Sequence, residues 1–338
     1  MIKVHAIKGP FALSALLLIT VITLLFLCFL SIAIGTRDVG WHDILGALQN
    51  QTETMGQAAV TMRLPRTVLA VLAGSALGVA GAIMQSVTRN PLADPGILGV
   101  NTGAAFFIVI GLAWFGINQL EDYIWLAILG GSITAVFIYL LSSLGRGGPT
   151  PLKFALAGTA TSIALSSFTV AVLLPRNDIA GSAQSWQIGG VGGATFDSIQ
   201  FILPFLIIGL LISAIVARKL NSLALGNDIA AGLGESVIWT RSASWLSAVL
   251  LSGAITAICG PIGFIGLVIP RLCRLLIGVD NRWLFLFSAL GGACLLLMAD
   301  VTGRIISRPS ELPVGVISAF IGAPFFIWIV RSQRVKEL

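Results

Sequence analysis

The chain has 338 residues, of which 57% are hydrophobic and only 10% are charged, and its mean hydropathy is +0.98. So much apolar surface cannot be buried in the core of a water-soluble domain of this length, so lipid must be the solvent of this chain. The net charge of +6 follows the membrane topology described below, and it gives no indication of nucleic-acid binding.

Nine apolar stretches, each about the length that crosses a bilayer, follow one another along the chain. Backbone polar groups in hydrocarbon must be satisfied within the segment, so each stretch is predicted to be an α-helix and the fold class is all-α. The predicted spans are 11–34, 68–84, 97–117, 123–144, 152–174, 199–217, 243–269, 283–299 and 312–330.

Nine crossings would place the two ends of the chain on opposite sides of the membrane, although both ends are basic. The positive-inside rule favours two cytoplasmic termini and therefore an even number of crossings. Gly260-Pro261 interrupts the long stretch 243–269, and proline breaks a helix. Splitting the stretch there predicts helices over 239–259 and 264–278, which makes ten transmembrane helices in a single transmembrane domain over 1–338.

The distribution of basic residues agrees with this topology. Of the 20 Lys and Arg residues, six fall outside: Arg37, Arg63, Arg66, Arg176, Arg304 and Arg308. The others fall on the cytoplasmic side, in the direction that the rule expects. We therefore expect a multi-pass membrane protein with both termini on the cytoplasmic side.

The sequence carries no recognisable catalytic constellation. It lacks a phosphate-binding G-x-x-x-x-G-K-[ST] loop, and the glycine-rich run Gly189–Gly193 has no preceding strand, so it favours a turn or a close helix contact. The four cysteines show no metal-ligand spacing and are interpreted as small packing residues. Few ionisable side chains lie deep in a span, whereas ion-coupled carriers need them. The sequence thus favours a transport subunit that is not an enzyme, binds no cofactor and takes its energy from elsewhere.

Glycines four residues apart suggest where helices approach closely. Gly74 and Gly78 form one such pair, and Gly99 and Gly103 form another. Small residues at this spacing let backbones come together in a membrane. We interpret both pairs as tight packing within one chain.

The predicted cytoplasmic loop 218–242 contains a short amphipathic segment over 223–235. Asn227 or Asp228 is a candidate N-cap, and Gly232 or Gly234 a candidate end. Such a helix could fit a groove on a partner protein, or it could lie on the lipid surface.

Two arginines mark the predicted outer end of the second helix. Arg63-Leu-Pro-Arg66 is predicted to begin that helix, with Pro65 in its first turn, where the missing N–H costs nothing. Asp300-Val-Thr-Gly-Arg304 is predicted to end a later one. The arginines could bind lipid phosphate or receive carboxylates of a docking protein.

Taken together, these motifs resemble the FecCD family, the permeases of iron-siderophore and vitamin B12 importers of the ABC type. The resemblance covers nearly the whole chain and is closest to permeases for ferric catecholate siderophores. It is carried by these segments: Arg63-Leu-Pro-Arg66, Met84 through Asn101, Leu225-Gly226 through Leu233-Gly234, Gly260 through Pro270, Ala299-Asp300, Glu311 through Gly315, and Ile321 through Pro324.

The resemblance implies the ten-helix fold of the vitamin B12 permease and a set of partners. These are a second copy or a homologous permease, two ATP-binding subunits that use ATP and Mg, an extracytoplasmic substrate-binding protein, and the surrounding lipid bilayer. The cargo implied is a ferric siderophore, with cobalamin or haem as the alternative.

The resemblance also implies roles for individual residues. Arg63, Arg66 and Arg304 would dock the binding protein. The coupling helix seated in the ATPase would comprise Leu223, Leu225, Gly226, Asp228, Gly232, Leu233 and Gly234. Asn90 and Leu92, with Ser142 and Ser143 in the Ser142–Pro151 loop, would lie at the cytoplasmic gate.

One position departs from the pattern of many relatives, in which histidine follows the Ile-Pro of the Gly260 segment. Here Arg271 occupies that position. Because it is predicted to face the cytoplasm, the change should affect ATPase docking or lipid contact more than the choice of cargo.

Overall fold

The computed structural model describes residues 9–37, 39–49, 51–96, 99–117, 120–144, 151–176, 181, 183–184 and 186–332. The basic residues Lys3 and Lys8, and most of the loop that joins Ser143 to Pro151, lie outside these ranges. Regular structure in the described part is entirely helical. We number the helices α1 Pro10–Ala33, α2 Trp41–Leu48, α3 Met55–Thr88, α4 Val100–Phe115, α5 Leu120–Ser143, α6 Pro151–Leu173, α7 Phe196–Ala224, α8 Asn227–Gly232, α9 Val237–Cys259, α10 Ile265–Ile277, α11 Asn281–Ile306 and α12 Val314–Ser332.

Seven of these helices are long and apolar enough to cross a membrane: α1, α3, α5, α6, α7, α9 and α11. The apolar helices α4 and α12 are shorter, and α10 has 13 residues. With these three, ten helices of the described part coincide with the ten helices that the sequence predicts.

Hydrogen bonds between helix ends define the two ends of the bundle. At one end, the C-terminus of α1 meets the first half of α3 and the last turn of α11. At the other, the end of α3 meets the end of α7, the start of α8 and the start of α9. We call the first the outer end and the second the inner end, following the distribution of basic residues.

The predicted helix break is confirmed. Helix α9 ends at Cys259, and Gly260 follows with φ 68° and ψ −178°, a backbone conformation that favours glycine. Helix α10 begins at Ile265 after Phe264, which has φ 69°. The glycine-rich run Gly189–Gly193 packs against this break, because Gly190 N donates to Cys259 O at 2.7 Å. It is therefore a close helix contact, as the sequence favours.

The start of the second membrane helix was predicted wrongly. Helix α3 begins at Met55, so Pro65 lies inside it and not in its first turn. Thr54 caps the helix and shares a capping box with Gln57. The turns between Met55 and Arg63 contain polar residues, so a hydropathy pattern does not include them in the span.

Helix α2 lies at the outer end and is tied to the start of α3. The Thr54 hydroxyl donates to Asp43 Oδ1 at 2.7 Å, and Gly40 N donates to Oδ2 at 3.0 Å. These hydrogen bonds, the one from Thr54 first, lower the pKa of Asp43 below its ordinary value.

Helices α3 and α11 form the centre of the bundle and approach through glycines. An added Cβ at Gly74 would lie 2.3 Å from Gly292 O, and one at Gly78 would lie 2.1 Å from Ser288 O. The predicted close packing at Gly74 and Gly78 is thus confirmed. Gly103 likewise lies close to Thr134 and Gly130 of α5, whereas Gly99 has φ 76° and precedes the first residue of α4.

Candidate coupling, gate and docking sites

At the inner end, the coupling segment is shorter than the sequence predicts. Leu223 belongs to the last turn of α7 and is buried, so it is not on the coupling helix. Helix α8 is six residues long and begins after Gly226, which has φ 127°. Leu233 follows its last residue, Gly232, and Gly234 has φ 83°.

Three apolar side chains of this segment are exposed: Ile229 on α8 itself, and Leu225 and Leu233 on either side of it. Leu225, Ile229 and Leu233 are 63%, 55% and 63% exposed. We call them the inner apolar ridge. Ile229 is not among the residues predicted for the coupling helix, although it lies four residues from both Leu225 and Leu233. A row of exposed large apolar residues at the end of a rigid bundle suits a protein groove.

Polar residues around the ridge bind the neighbouring helices, and the three exposed apolar side chains take no part in these contacts. Asn227 is not the N-cap but the first helical residue, and its Oδ1 accepts from Arg89 at 3.2 Å and from Arg241 at 3.1 Å. Arg89 Nη2 also donates to Leu223 O. Lys219 pairs with Glu235 at 3.0 Å. These contacts connect α8 and the residues that follow it to the ends of α3, α7 and α9.

The predicted gate residues lie at the inner ends of α3 and α5. Asn90 Oδ1 accepts from Leu92 N at 3.0 Å, which closes a tight turn after α3. Ser142 and Ser143 both donate to Tyr139 O, at 2.8 and 2.7 Å.

The ends of α3, α5 and α6 meet around a cavity of about 220 Å³. Thr88, Tyr139 and Phe154 line it, as does Arg241 of α9. The elements that carry the predicted gate residues are thus brought together, next to the contacts that hold α8. The serines themselves are turned back onto their own helix.

At the outer end, Asp300 organises an ion cluster with Arg66, Arg304 and Glu311. Arg66 Nη2 lies 2.8 Å from Asp300 Oδ1, and its Nη1 lies 2.6 Å from Glu311 Oε2. Arg304 Nη2 lies 2.7 Å from Asp300 Oδ2. The side chains of Asp300 and Arg304 are each 1% exposed, whereas that of Glu311 is 39% exposed.

Arg63 and Arg304 donate hydrogen bonds to carbonyl groups at the C-terminus of α1. Arg304 Nη1 donates to Ser31 O at 2.9 Å and Ile34 O at 3.1 Å, and Arg63 Nη1 donates to Ile32 O at 3.0 Å. The last carbonyls of a helix have no partner within it and carry its negative end, so guanidinium groups stabilise them.

The three arginines that were predicted to dock a binding protein are buried or already paired. Arg63 is 7% exposed and Arg304 is 1% exposed, so neither guanidinium is free to meet a partner in this conformation. Arg66 is the most accessible of the three, with an 11% exposed side chain, and it is already paired. Docking at Arg63 and Arg304 would require the cluster to open.

Comparison with known proteins supplies the context for these sites. The model of the FecCD transport family matches residues 23–332. The iron(3+)-hydroxamate import system permease protein FhuB of Bacillus subtilis is 40% identical over 90% of this chain and 80% of its own length. The ferric enterobactin transport system permease protein FepD of Escherichia coli is 39% identical over 97% of both chains.

The fold agrees with a solved structure as well. A transporter assigned to the metal-chelate type of ABC transporters, in an inward-facing conformation, superposes with a TM-score of 0.80. It is 26% identical, and the match covers 95% of this chain and 100% of that one. The chain is therefore a multi-pass membrane transport subunit that belongs to the FecCD transport family.

Proposed function

We propose that this chain is the permease subunit of an ABC importer that moves a ferric siderophore inward across the bacterial cytoplasmic membrane. The single observation that carries the proposal is the family match over 23–332. Two relatives that match nearly the whole chain are named for iron(3+)-hydroxamate import and for ferric enterobactin transport.

The motive power comes from two ATP-binding subunits, which hold ATP and Mg. The inner apolar ridge supports this assignment, because three exposed apolar side chains on a braced segment suit the groove of a soluble partner. Closure of the ATPase pair would move α8, and the ties through Arg89 and Arg241 would transmit that movement to α3, α7 and α9 as rigid-body tilts.

The remaining partners are a second permease and an external binding protein. The binding protein would dock at the outer end, where Glu311 and Arg308 are exposed beside the buried ion cluster. The gate would lie at the inner end, at the turn of Asn90 and Leu92 and the α5 end with Ser142 and Ser143. Both termini would be cytoplasmic.

The function is tested by uptake into vesicles that contain the complete transporter. We expect ATP-dependent accumulation of a labelled ferric catecholate siderophore, in preference to cobalamin and haem supplied at the same concentration with their own binding proteins. Equal or faster accumulation of cobalamin or haem would overturn the choice of cargo. Vesicles to which no ATP is added serve as the control.

The ridge is tested by two charge substitutions. The amount of ATPase that copurifies with the double variant Leu225→Asp/Leu233→Asp should be at least about tenfold lower than with wild type. The reason is that buried anchors at an interface contribute about 2 kcal/mol or more each to binding. Leu152→Asp is the matched control, since Leu152 is 69% exposed at the inner start of α6 and lies off the ridge. Retention of the ATPase by the double variant at the wild-type level would refute the coupling role.

A further inference from the structure

We propose that a cavity at the inner end binds a phosphate group, and that this group belongs to the headgroup of an anionic phospholipid. The cavity has a volume of about 780 Å³ and lies between the ends of α3, α7 and α10 and the start of α11. Arg89, Arg271 and Arg274 line it. The inference depends on the orientation of the chain in the membrane and not on the identity of the cargo.

The cavity carries an excess of positive charge. Arg271 and Arg274 are three residues apart on α10, so they share one face of the helix, where like charges repel. Arg89 adds a third guanidinium from the end of α3. Asp280 supplies the carboxylate among the described lining residues, and its Oδ1 is occupied by Asn221 Nδ2 at 2.7 Å and by Arg282 N at 3.1 Å.

Two of the guanidinium groups lack the partners that a protein normally gives them. Arg274 donates through Nη2 to Ser86 Oγ at 2.8 Å, but its buried Nε has no hydrogen-bond partner among the described residues. Within the same ranges, Arg271 makes neither a hydrogen bond nor an ion pair. Charged donors left without acceptors are costly. A bound anion would supply the missing acceptors.

The chemistry of the cavity favours a phosphate that is attached to an apolar body. Guanidinium groups bind phosphate oxygens in pairs, and basic pockets between helices on the cytoplasmic side are suited to lipid headgroups. The walls beside the arginines are apolar, with Pro91, Ala224 and Leu275 among them. Glycerol and the first acyl carbons can lie against such walls.

The experiment uses the complete transporter in detergent and measures both bound lipid and thermal stability. Phosphatidylglycerol and phosphatidylcholine with the same acyl chains are added separately, and inorganic phosphate forms a third arm. We expect phosphatidylglycerol to copurify and to raise the unfolding temperature above the phosphatidylcholine value. The variant Arg271→Gln/Arg274→Gln should bind at least about tenfold less phosphatidylglycerol.

Matched variants separate the site from general charge effects. Arg282→Gln removes an exposed positive charge at the same end and should bind phosphatidylglycerol like wild type. If the double variant fails to fold, Arg271→Gln alone serves, because Arg271 has no internal partner to lose in the described part.

The arms distinguish the sources of the anion. Stabilisation by phosphatidylglycerol alone identifies a lipid headgroup, and equal stabilisation by inorganic phosphate identifies a soluble anion. The proposal is overturned if neither anion stabilises wild type more than phosphatidylcholine does, or if the double variant keeps the full effect. It is also overturned if the double variant releases the ATPase while its lipid binding is unchanged, because the arginines would then serve a protein partner.

Discussion

Replacing Asp300 by asparagine should lower the unfolding temperature of the chain by on the order of 10 °C. The side chain of Asp300 is 1% exposed, and its two oxygens face Arg66 at 2.8 Å and Arg304 at 2.7 Å. Removing the carboxylate of a buried ion pair leaves uncompensated charge and costs about 3–5 kcal/mol. The loss should be visible as earlier thermal aggregation in detergent.

Two further variants show whether the charge or the shape of Asp300 matters. Asp197→Asn removes an exposed carboxylate that lies in the first turn of α7, and it should shift the unfolding temperature by no more than about 2 °C. The double variant Asp300→Asn/Arg304→Gln should lose less stability than the two single changes added together, because the closest unpaired charge is also removed. An Asp300→Asn variant as stable as wild type would show that the outer ion cluster contributes nothing.

Replacing Gly78 by alanine should destabilise the bundle by about 1–3 kcal/mol, the usual cost of overpacking. The new Cβ would lie 2.1 Å from Ser288 O, a backbone atom that can yield only if α3 and α11 separate. Alanine is otherwise the better helix former by about 1 kcal/mol, so the clash must reverse the intrinsic preference. The unfolding temperature in detergent, or the denaturant midpoint, measures the effect.

Gly253 provides a matched control for Gly78 within helix α9. Its added Cβ would make contacts of 3.6 Å or longer, an ordinary van der Waals distance. Gly253→Ala should therefore be neutral or stabilising by up to about 1 kcal/mol. If both variants change stability by the same amount and in the same direction, close approach of α3 and α11 is not what selects glycine at position 78.

The features that the sequence predicts well are those set by lipid and by local backbone chemistry. Hydropathy locates the spans because hydrocarbon tolerates few polar side chains. The break at Gly260-Pro261 follows from the missing donor of proline and the freedom of glycine, and α9 does end at Cys259. Gly74 and Gly78 mark a close contact because four residues return a helix to the same face.

The features that were missed depend on contacts between distant parts of the chain. Arg63 reads as an outer surface residue, yet it is buried because carbonyls at the end of α1 need donors. The first turns of α3 are polar, so a hydropathy pattern does not include them in the membrane helix. Leu223 reads as part of an amphipathic helix, but α7 continues through it and buries it. No local pattern carries the burial of Arg63 or of Leu223, whereas the capping box of Thr54 and Gln57 is a local signal for the start of α3.

The burial of the arginines bears on how docking is coupled to transport. Reversing the charge of Arg63 and Arg66 would lower uptake whether or not either touches the binding protein, since both hold α3 in place at the outer end. A variant of exposed Glu311 probes the same surface with less damage to the fold, although it also removes one partner of Arg66.

The central claim is that transport through this chain is driven by ATPase subunits. The most direct test is therefore to change the source of energy. Vesicles containing this chain and its partner permease are given a proton or sodium gradient, and a second set also contains the ATPase, the binding protein and ATP. We predict accumulation of the ferric siderophore against its gradient in the second set alone. Uphill accumulation in the first set, without ATPase or ATP, would contradict the account.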